Sequence, residues 1–272
     1  MGRDLRGKVA VITGASAGIG RATAEAFARA GVRLVLGARR PDRLEEVAQA
    51  IRTRGGEALA VVADVAEGSQ VETLVGRAVA AYDRLNFMVA NAGIGYFAPV
   101  EETPLDVAED LWRVNVLGTL HAIRAALPVM RRQGAGHLIV VSSVAGKRGA
   151  PGSGVYAATK FAQVGLCEAL RVELAGTGIA VSVICPVGTA TEFFEAAASR
   201  GGLRVDPMGP VQTAERVAAA IVRCARRPRP EVLVYPPARL LVILNALAPR
   251  LVDRILFRFR RRLLGSRFPA AR

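Results

Sequence analysis

Tyr156 and Lys160 stand four residues apart in Ser-Gly-Val-Tyr-Ala-Ala-Thr-Lys, residues 153–160. On a helix that spacing sets a phenol and an ammonium on one face. A free phenol titrates near pH ~10 and exchanges protons poorly at neutral pH. A neighbouring positive charge favours the phenolate, so Lys160 is expected to draw the Tyr156 pKa down toward the working range and make the pair an acid-base catalyst. Residue usage adds weight to the lysine: of 37 basic residues, only Lys8, Lys147 and Lys160 are lysines. The ammonium is a compact point charge, where a guanidinium is a planar fork. An isolated Tyr and Lys at this spacing serve equally well to stabilise a surface helix, so the surroundings must decide.

The first strand-like run ends in Thr-Gly-Ala-Ser-Ala-Gly-Ile-Gly, residues 13–20, and a helical run follows. Strand, glycine turn and helix make a phosphate cradle. Gly14, Gly18 and Gly20 permit the tight turn and close backbone approach, and Ile19 lies among the unpaired N–H groups of the helix start, where a pyrophosphate is held. The spacing is G-x-x-x-G-x-G, which differs from the commoner G-x-G-x-x-G. At the end of the second strand an acid would bond a ribose 2′-hydroxyl, whereas a base would pair with a 2′-phosphate. Residues 36–40, Leu-Gly-Ala-Arg-Arg, offer no acid. Arg39, helped by the Ser16 hydroxyl, is placed to grip that phosphate, which selects NADP(H) over NAD. The competing account is that Arg39 and Arg40 merely open a solvated helix in an Arg-rich chain.

These groups need a scaffold, and the pattern supplies one. Val- and Ile-rich runs at 8–13, 32–36, 58–63, 87–90, 137–142 and 179–185 read as buried parallel strands, with a seventh at 231–234. Segments with helical periodicity separate them, at 21–30, 42–53, 69–82, 105–132, 156–175 and 213–226. The alternation predicts an α/β, Rossmann-like, doubly wound seven-stranded parallel sheet with helices on both faces. Residues 1–237 read as one nucleotide-binding and catalytic domain, and 238–272 as a basic, amphipathic helical extension. Residues 189–210 are too long for an ordinary strand-to-helix loop and contain Phe193 and Phe194, which predicts a substrate lid.

Composition narrows the class. A hydrophobic content of 51% over 272 residues is ample for a buried core. Cys167, Cys185 and Cys224 lack metal-ligand spacing and fall in apolar runs, which argues against disulfides and against a metal site. A strand-like run begins by Val9 with no charged-then-apolar leader, which points to the cytoplasm. The net charge of +14 is concentrated: residues 238–272 hold nine Arg against one Asp. Aromatic residues are too few, at 5%, for base stacking along a strand, which argues against nucleic acid as a partner.

The glycine turn, Asn91-Ala92-Gly93 after the fourth strand, Asn115, Ser142-Ser143 after the fifth strand and Tyr156-x-x-x-Lys160 stand together in a fixed order. On these motifs residues 7–235 resemble the short-chain dehydrogenase/reductase family. The resemblance implies that Tyr156 is the general acid-base and that Ser143 donates to the reacting oxygen, with Ser142 set aside. It further implies that Lys160 binds the nicotinamide ribose and lowers Tyr156, and that Asn115 holds a water linking Lys160 to solvent. Asp64 and Val65 match the family's adenine-binding pair, and Asn91, Ala92 and Gly93 its cofactor-lining turn. After the sixth strand the family's Pro-Gly is replaced here by Pro186-Val187-Gly188, with Thr189 and Thr191 where carboxamide and phosphate contacts are made.

Tyr96, Phe97, Val144, Val155, Val187, Phe193 and Phe194 form an expected pocket wall that is mostly apolar, which favours a lipophilic alcohol or carbonyl as substrate. The stretch from Ser143 to Ala162 resembles the hydroxysteroid and retinol dehydrogenase branch. Family members pair through helices matching 105–132 and 156–175, which implies a homodimer or homotetramer. In the tail, 240–248 is an uncharged run too short to span a bilayer, and 251–264 alternates apolar residues with Arg. It either rests on a membrane surface, at the inner face, or packs on its own domain or a partner subunit. The rival to an enzyme is a non-catalytic NADP-sensing protein tethered through this tail.

Overall fold

Short apolar runs with both faces covered become parallel strands, and the amphipathic segments between them become the covering helices. The computed structural model describes residues 2–205 and 210–264. In chain order come β1 (Val9–Thr13), α1 (Gly18–Arg29), β2 (Arg33–Ala38), α2 (Pro41–Thr53), β3 (Ala58–Val62), α3 (Gly68–Tyr82) and β4 (Phe87–Ala90). There follow α4 (Leu105–Trp112), α5 (Gly118–Gln133), β5 (Gly136–Val141), α6 (Gly154–Glu173) and β6 (Ile179–Cys185). The last are β7 (Thr189–Ala190), α7 (Phe193–Ala198), β8 (Gln212–Thr213), α8 (Ala214–Arg226), β9 (Glu231–Leu233), α9 (Ala238–Leu247) and α10 (Pro249–Leu264).

Seven strands form one parallel sheet in the order β3-β2-β1-β4-β5-β6-β9. The two sides of each strand feed different cores. Along β1, Ala10 and Ile12 face Phe27, Leu44, Val47 and Ile221 from α1, α2 and α8. Val9 and Val11 face Leu74, Ala126, Met130 and Cys167 from α3, α5 and α6. Each such fully buried Leu, Ile or Phe stabilises the fold by roughly 1.5–3 kcal/mol. The chain winds outward in both directions from β1 and β4, leaving a crevice at the strands' carboxyl ends.

Two details add to the expected pattern, and the tail is helical as expected. The helix expected over 105–132 is interrupted by a π-helical turn, Arg113–Leu117, that contains Asn115. One wider turn hardly disturbs the apolar periodicity that predicted the helix, yet it releases carbonyls from the regular ladder. The base of the expected lid is pinned by a two-residue parallel pair, β7 with β8, and its middle forms α7. Residues 206–209 of that lid, and 265–272 of the tail, lie outside the described residues. The tail forms α9 and α10, joined to the body where the Arg148 guanidinium donates to Asn245 Oδ1 at 2.9 Å and Asp253 Oδ1 at 2.5 Å.

Candidate active site

Ser143 follows β5 and caps the short 3₁₀ turn Val144–Gly146, its hydroxyl accepting from the Ala145 N–H at 3.1 Å. Tyr156 is in the first turn of α6, so its phenol reaches back to the carboxyl end of β5 and has the Ser143 hydroxyl as hydrogen-bond partner. The adjacent Ser142 is buried and donates to the Lys160 carbonyl at 2.9 Å, a structural bond that removes it from the chemistry. The expected depression of Tyr156 by Lys160 is corrected. Burial drives the Tyr156 pKa up, and the opposing influence is the Ser143 hydroxyl. The Lys160 ammonium lies 5.7 Å from the ring centroid, with its N–H groups aimed elsewhere. A phenol desolvated in this way is held protonated at neutral pH.

Lys160 is buried, and desolvation lowers its pKa to about 8. Its ammonium donates to the Val141 carbonyl at 3.2 Å and to Gln163 Oε1 at 3.0 Å. Asn115 is fully enclosed; its Oδ1 accepts from the Ile94 N–H at 2.8 Å, and its Nδ2 donates to the Ile94 carbonyl and to Thr159 Oγ1, both at 3.0 Å. The Lys160 ammonium and Asn115 are also joined through a side chain: Gln163 accepts from Lys160 Nζ, and its Nε2 donates to the Asn115 carbonyl at 2.8 Å. Sequence reading missed Gln163. Its spacing of three residues from Lys160, on the same helix face, was the available signal.

The glycine turn is shaped as a phosphate cradle. Gly14 has φ +66°, and a Cβ there would stand 2.8 Å from Ala92 Cα. A Cβ on Gly20 would meet the Gly14 carbonyl oxygen at 2.1 Å. Only glycine fits either place. Helix α1 has no side-chain cap, so its first N–H groups are left for a ligand, and no first-turn acid opposes an anion. Thr13 and Asn91 bind the two cofactor loops together: Thr13 Oγ1 accepts from the Asn91 and Ala92 N–H groups, and Asn91 Nδ2 donates to the Thr13 carbonyl at 2.9 Å. Gly14, Ser16, Gly18, Ile19, Arg39, Asp64, Val65, Asn91, Ala92, Gly93, Pro186, Thr189 and Thr191 all line one cleft of about 870 Å³, together with Ser143, Tyr156 and Lys160. Gly20 is not part of its surface and acts by allowing the turn to close.

Ser16 Oγ accepts from Arg40 at 3.3 Å, while Arg39 lies 3.7 Å from Asp64 Oδ2. Arg40 and Arg43 both reach Glu192, at 3.3 and 2.7 Å, across the cleft from α2 to the residue before α7. Their guanidiniums hold the Glu192 carboxyl below the usual carboxylate range.

On the substrate side, Val144, Val187, Phe97, Phe193 and Phe194 line the cleft. Tyr96 does not. It is buried behind Phe97 in the cluster that also holds Val155, and its ring would meet a Cβ placed on Gly202 at 3.1 Å. Side chains alternate along an extended segment, so adjacent Tyr96 and Phe97 point to opposite sides. The Phe97 and Phe193 rings flank Tyr156 with centroids at 5.8 and 5.6 Å. Arg148, Tyr235, Pro237, Ala238, Leu241 and Leu256 complete the wall, so α9 and α10 belong to it. Sequence reading missed these; Ala238 and Leu241 at i, i+3 were the signal for an inward face. Cys167, Cys185 and Cys224 are free and buried.

The fold and the site can be set beside known proteins. Residues 8–200 match the family model described as short chain dehydrogenase. Over 239 residues, 85% of this chain, the sequence is 37% identical to the glycine betaine reductase ATRR of Emericella nidulans, of which the match spans 19%. A short chain dehydrogenase/reductase from Burkholderia phymatum, solved in complex with NAD, superposes with TM-score 0.84 over 99% of this chain and 100% of that one, at 29% identity. An alcohol dehydrogenase from Thermococcus sibiricus, complexed with 5-hydroxy-NADP, gives TM-score 0.74 over 83% and 94%, at 31% identity. With its parallel sheet, its glycine cradle and its Ser143, Tyr156 and Lys160 gathered at one cleft, the chain belongs to the short chain dehydrogenase family.

Proposed function

We propose that this oxidoreductase interconverts an alcohol and its ketone or aldehyde on a lipophilic small molecule, with NADP(H) as redox partner and Tyr156 as general acid-base. The observation that supports it is the continuity of the cleft. Phosphate cradle, Ser143–Tyr156 pair and aromatic wall share one cavity. Bound NADP(H) supplies or accepts the hydride. The chain's own residues handle the proton and the orientation. Ser143 Oγ and the Tyr156 hydroxyl hold the substrate oxygen; during reduction Tyr156 gives that oxygen its proton, and during oxidation it takes the proton back. Lys160, whose ammonium donates to Val141 and Gln163, would hold the nicotinamide ribose through its remaining N–H. Arg39 and Arg40 supply the positive charge for a 2′-phosphate, and Phe97, Phe193, Phe194 and Leu241 supply the apolar surface that excludes water.

The test is Tyr156→Phe, which removes the proton and leaves the ring packing. Steady-state rates with NADPH and a panel of apolar ketones and aldehydes should fall by about 10²–10⁴-fold, while NADPH binding measured by fluorescence stays within about twofold. Turnover near wild type in Tyr156→Phe would sink the mechanism. Equal turnover with charged, hydrophilic carbonyls would sink the substrate class. The pH dependence carries a sign. Lys160 holds its charge below about 8 and loses it above, so carbonyl reduction should decline as pH rises through that value.

The tail supports a second element of the reading, contact with an anionic membrane surface near the cleft mouth. Leu240, Ile243 and Leu247 lie exposed along one face of α9, with Leu251 and Ile255 exposed on α10 and Arg250 and Arg254 beside them. Among the described residues no helix is long and apolar enough to cross a membrane. Sedimentation with phosphatidylglycerol vesicles, lost in Leu247→Asp, tests this; equal retention by neutral vesicles would reject the electrostatic part. Exposed Leu105 and Trp112 on α4 and Phe161 on α6 support pairing of two copies through these helices, and light scattering decides between monomer, dimer and tetramer.

A further inference from the structure

Behind the catalytic pair a buried amide reaches from Lys160 to the π-helical turn. Gln163 lies one turn beyond Lys160 on α6 and is completely enclosed. Its Oε1 accepts from Lys160 Nζ at 3.0 Å. Its Nε2 donates to the Asn115 carbonyl at 2.8 Å and to Thr119 Oγ1 at 2.7 Å, and the Thr119 hydroxyl donates to the same carbonyl at 2.7 Å. The π-helical turn at Arg113–Leu117 brings that carbonyl within reach of the amide. The neighbours fix the amide's orientation: turned over, it would press N–H groups on an ammonium and an oxygen on a carbonyl.

We propose that Gln163 is the positioning residue of Lys160: its amide bridges the ammonium and the Asn115 carbonyl, and thereby fixes the ammonium beside Tyr156 and sets how firmly it keeps its charge. The proposal rests on the reading of Tyr156 and Lys160 as the catalytic pair. An amide donates at one end and accepts at the other without passing a net proton, so this link holds charge in place. Around the ammonium stand the Tyr156 ring from α6 itself, the Val141 carbonyl from β5, the Cys185 thiol from β6 and the neutral Asn115 from the π-helical turn. Behind Cys185 lies the Lys147–Glu231 ion pair at 2.5 Å. Gln163 Oε1 is therefore the side-chain oxygen that answers the Lys160 charge directly. Burial already holds this lysine down to about 8, so losing or strengthening that oxygen moves it through the range where the enzyme works.

The three lysines of the chain make the measurement direct. In the full-length protein labelled with ¹³Cε-lysine, NMR titration resolves Lys160 from Lys8 and Lys147, with Lys160→Arg as the assignment control. Gln163→Leu removes the acceptor and should lower the Lys160 midpoint by about one unit, while Gln163→Glu sets a carboxylate there and should raise it by about one unit or more. The alkaline limb of kcat for carbonyl reduction should move in the same two directions, with KM for the carbonyl nearly constant. Gln163→Met keeps the chain length without the polar ends, and repeats the Leu measurement should Leu fail to fold. Midpoints that stay within a few tenths of wild type in folded variants overturn the proposal. Full turnover in Tyr156→Phe would instead overturn the catalytic reading and leave the NMR result to stand by itself.

Discussion

The two halves of the cleft are built by different means. The cofactor half is made of backbone: Gly14 and Gly20 allow two chain segments to approach within distances that a Cβ forbids, and Thr13 and Asn91 lock those segments together with paired hydrogen bonds. The substrate half is made of side chains borrowed from distant segments, Phe97 after β4, Val187 after β6, Phe193 and Phe194 at α7 and Leu241 on α9. A backbone cradle tolerates one residue type at each position, whereas an apolar wall tolerates any side chain of about the right size. The first half is thus specific in its chemistry and the second in its shape.

The largest test of that contrast lies in the cofactor half. Replacing Arg39 and Arg40 together by Ala removes two charge-assisted partners of a 2′-phosphate, each worth about 1.5–3 kcal/mol. The ratio of kcat/KM for NADPH to that for NADH should fall by about 10²–10⁴-fold while the NADH value itself changes little. The single variants sharpen the reading, because Arg40 is already engaged by Ser16 and Glu192 whereas Arg39, among the described residues, makes a 3.7 Å surface contact with Asp64. Arg39→Ala should therefore cost NADPH more than Arg40→Ala. A ratio unmoved in the double variant would mean that charge at the end of β2 does not choose the nucleotide.

The same contrast explains what the sequence made legible. The parallel strands, the glycine turn and the grouping of Ser143, Tyr156 and Lys160 were readable because parallel strands need apolar runs, cradles need glycine and acid-base work needs titratable groups at fixed spacing. Three things were not. The direction of the Tyr156 shift depends on burial, which spacing does not report, and Phe97 and Phe193 close over a phenol that Lys160 was expected to govern. Tyr96 was taken for a wall residue because its type fits, but only the path of residues 94–97 decides whether it or Phe97 faces the cleft. On α9 the cleft-lining Ala238 and Leu241 differ little in type from the outward Leu240 and Leu247, so residue type did not separate them and only their i, i+3 spacing could.

A smaller effect belongs to the substrate half. Arg148 follows the Ser143 turn and holds the tail by bonds to Asn245 and Asp253. Arg148→Ala should loosen α9 and α10 from the cleft without touching the cradle. The KM for an apolar carbonyl should rise by about 5–10-fold, as expected for uniform binding lost at one wall, with the dissociation constant for NADPH unchanged. A parallel loss of NADPH affinity would show that the halves are not separable and that the tail braces both.

The smallest expected effect comes from the residue that spans them. Glu192 opens the substrate half at α7, yet its carboxylate lies on Arg40 and Arg43 of the cofactor half. All three side chains are about half exposed, so the pair adds little to stability, and Glu192→Gln should leave the melting temperature in place. On the proposed NADP(H) reading, the carboxylate competes with the nucleotide. It occupies guanidinium N–H groups that a 2′-phosphate also needs and offsets part of the positive field there. Glu192→Gln should tighten NADPH by about 2–5-fold at low ionic strength, and the gain should shrink in about 0.5 M salt, where charges more than a few ångströms apart are screened. NADH, with no phosphate to compete, should not respond. Weaker NADPH binding in Glu192→Gln would mean the opposite, that the carboxylate orders Arg40 and Arg43 for the nucleotide, and the boundary between the halves would then serve the cofactor rather than oppose it.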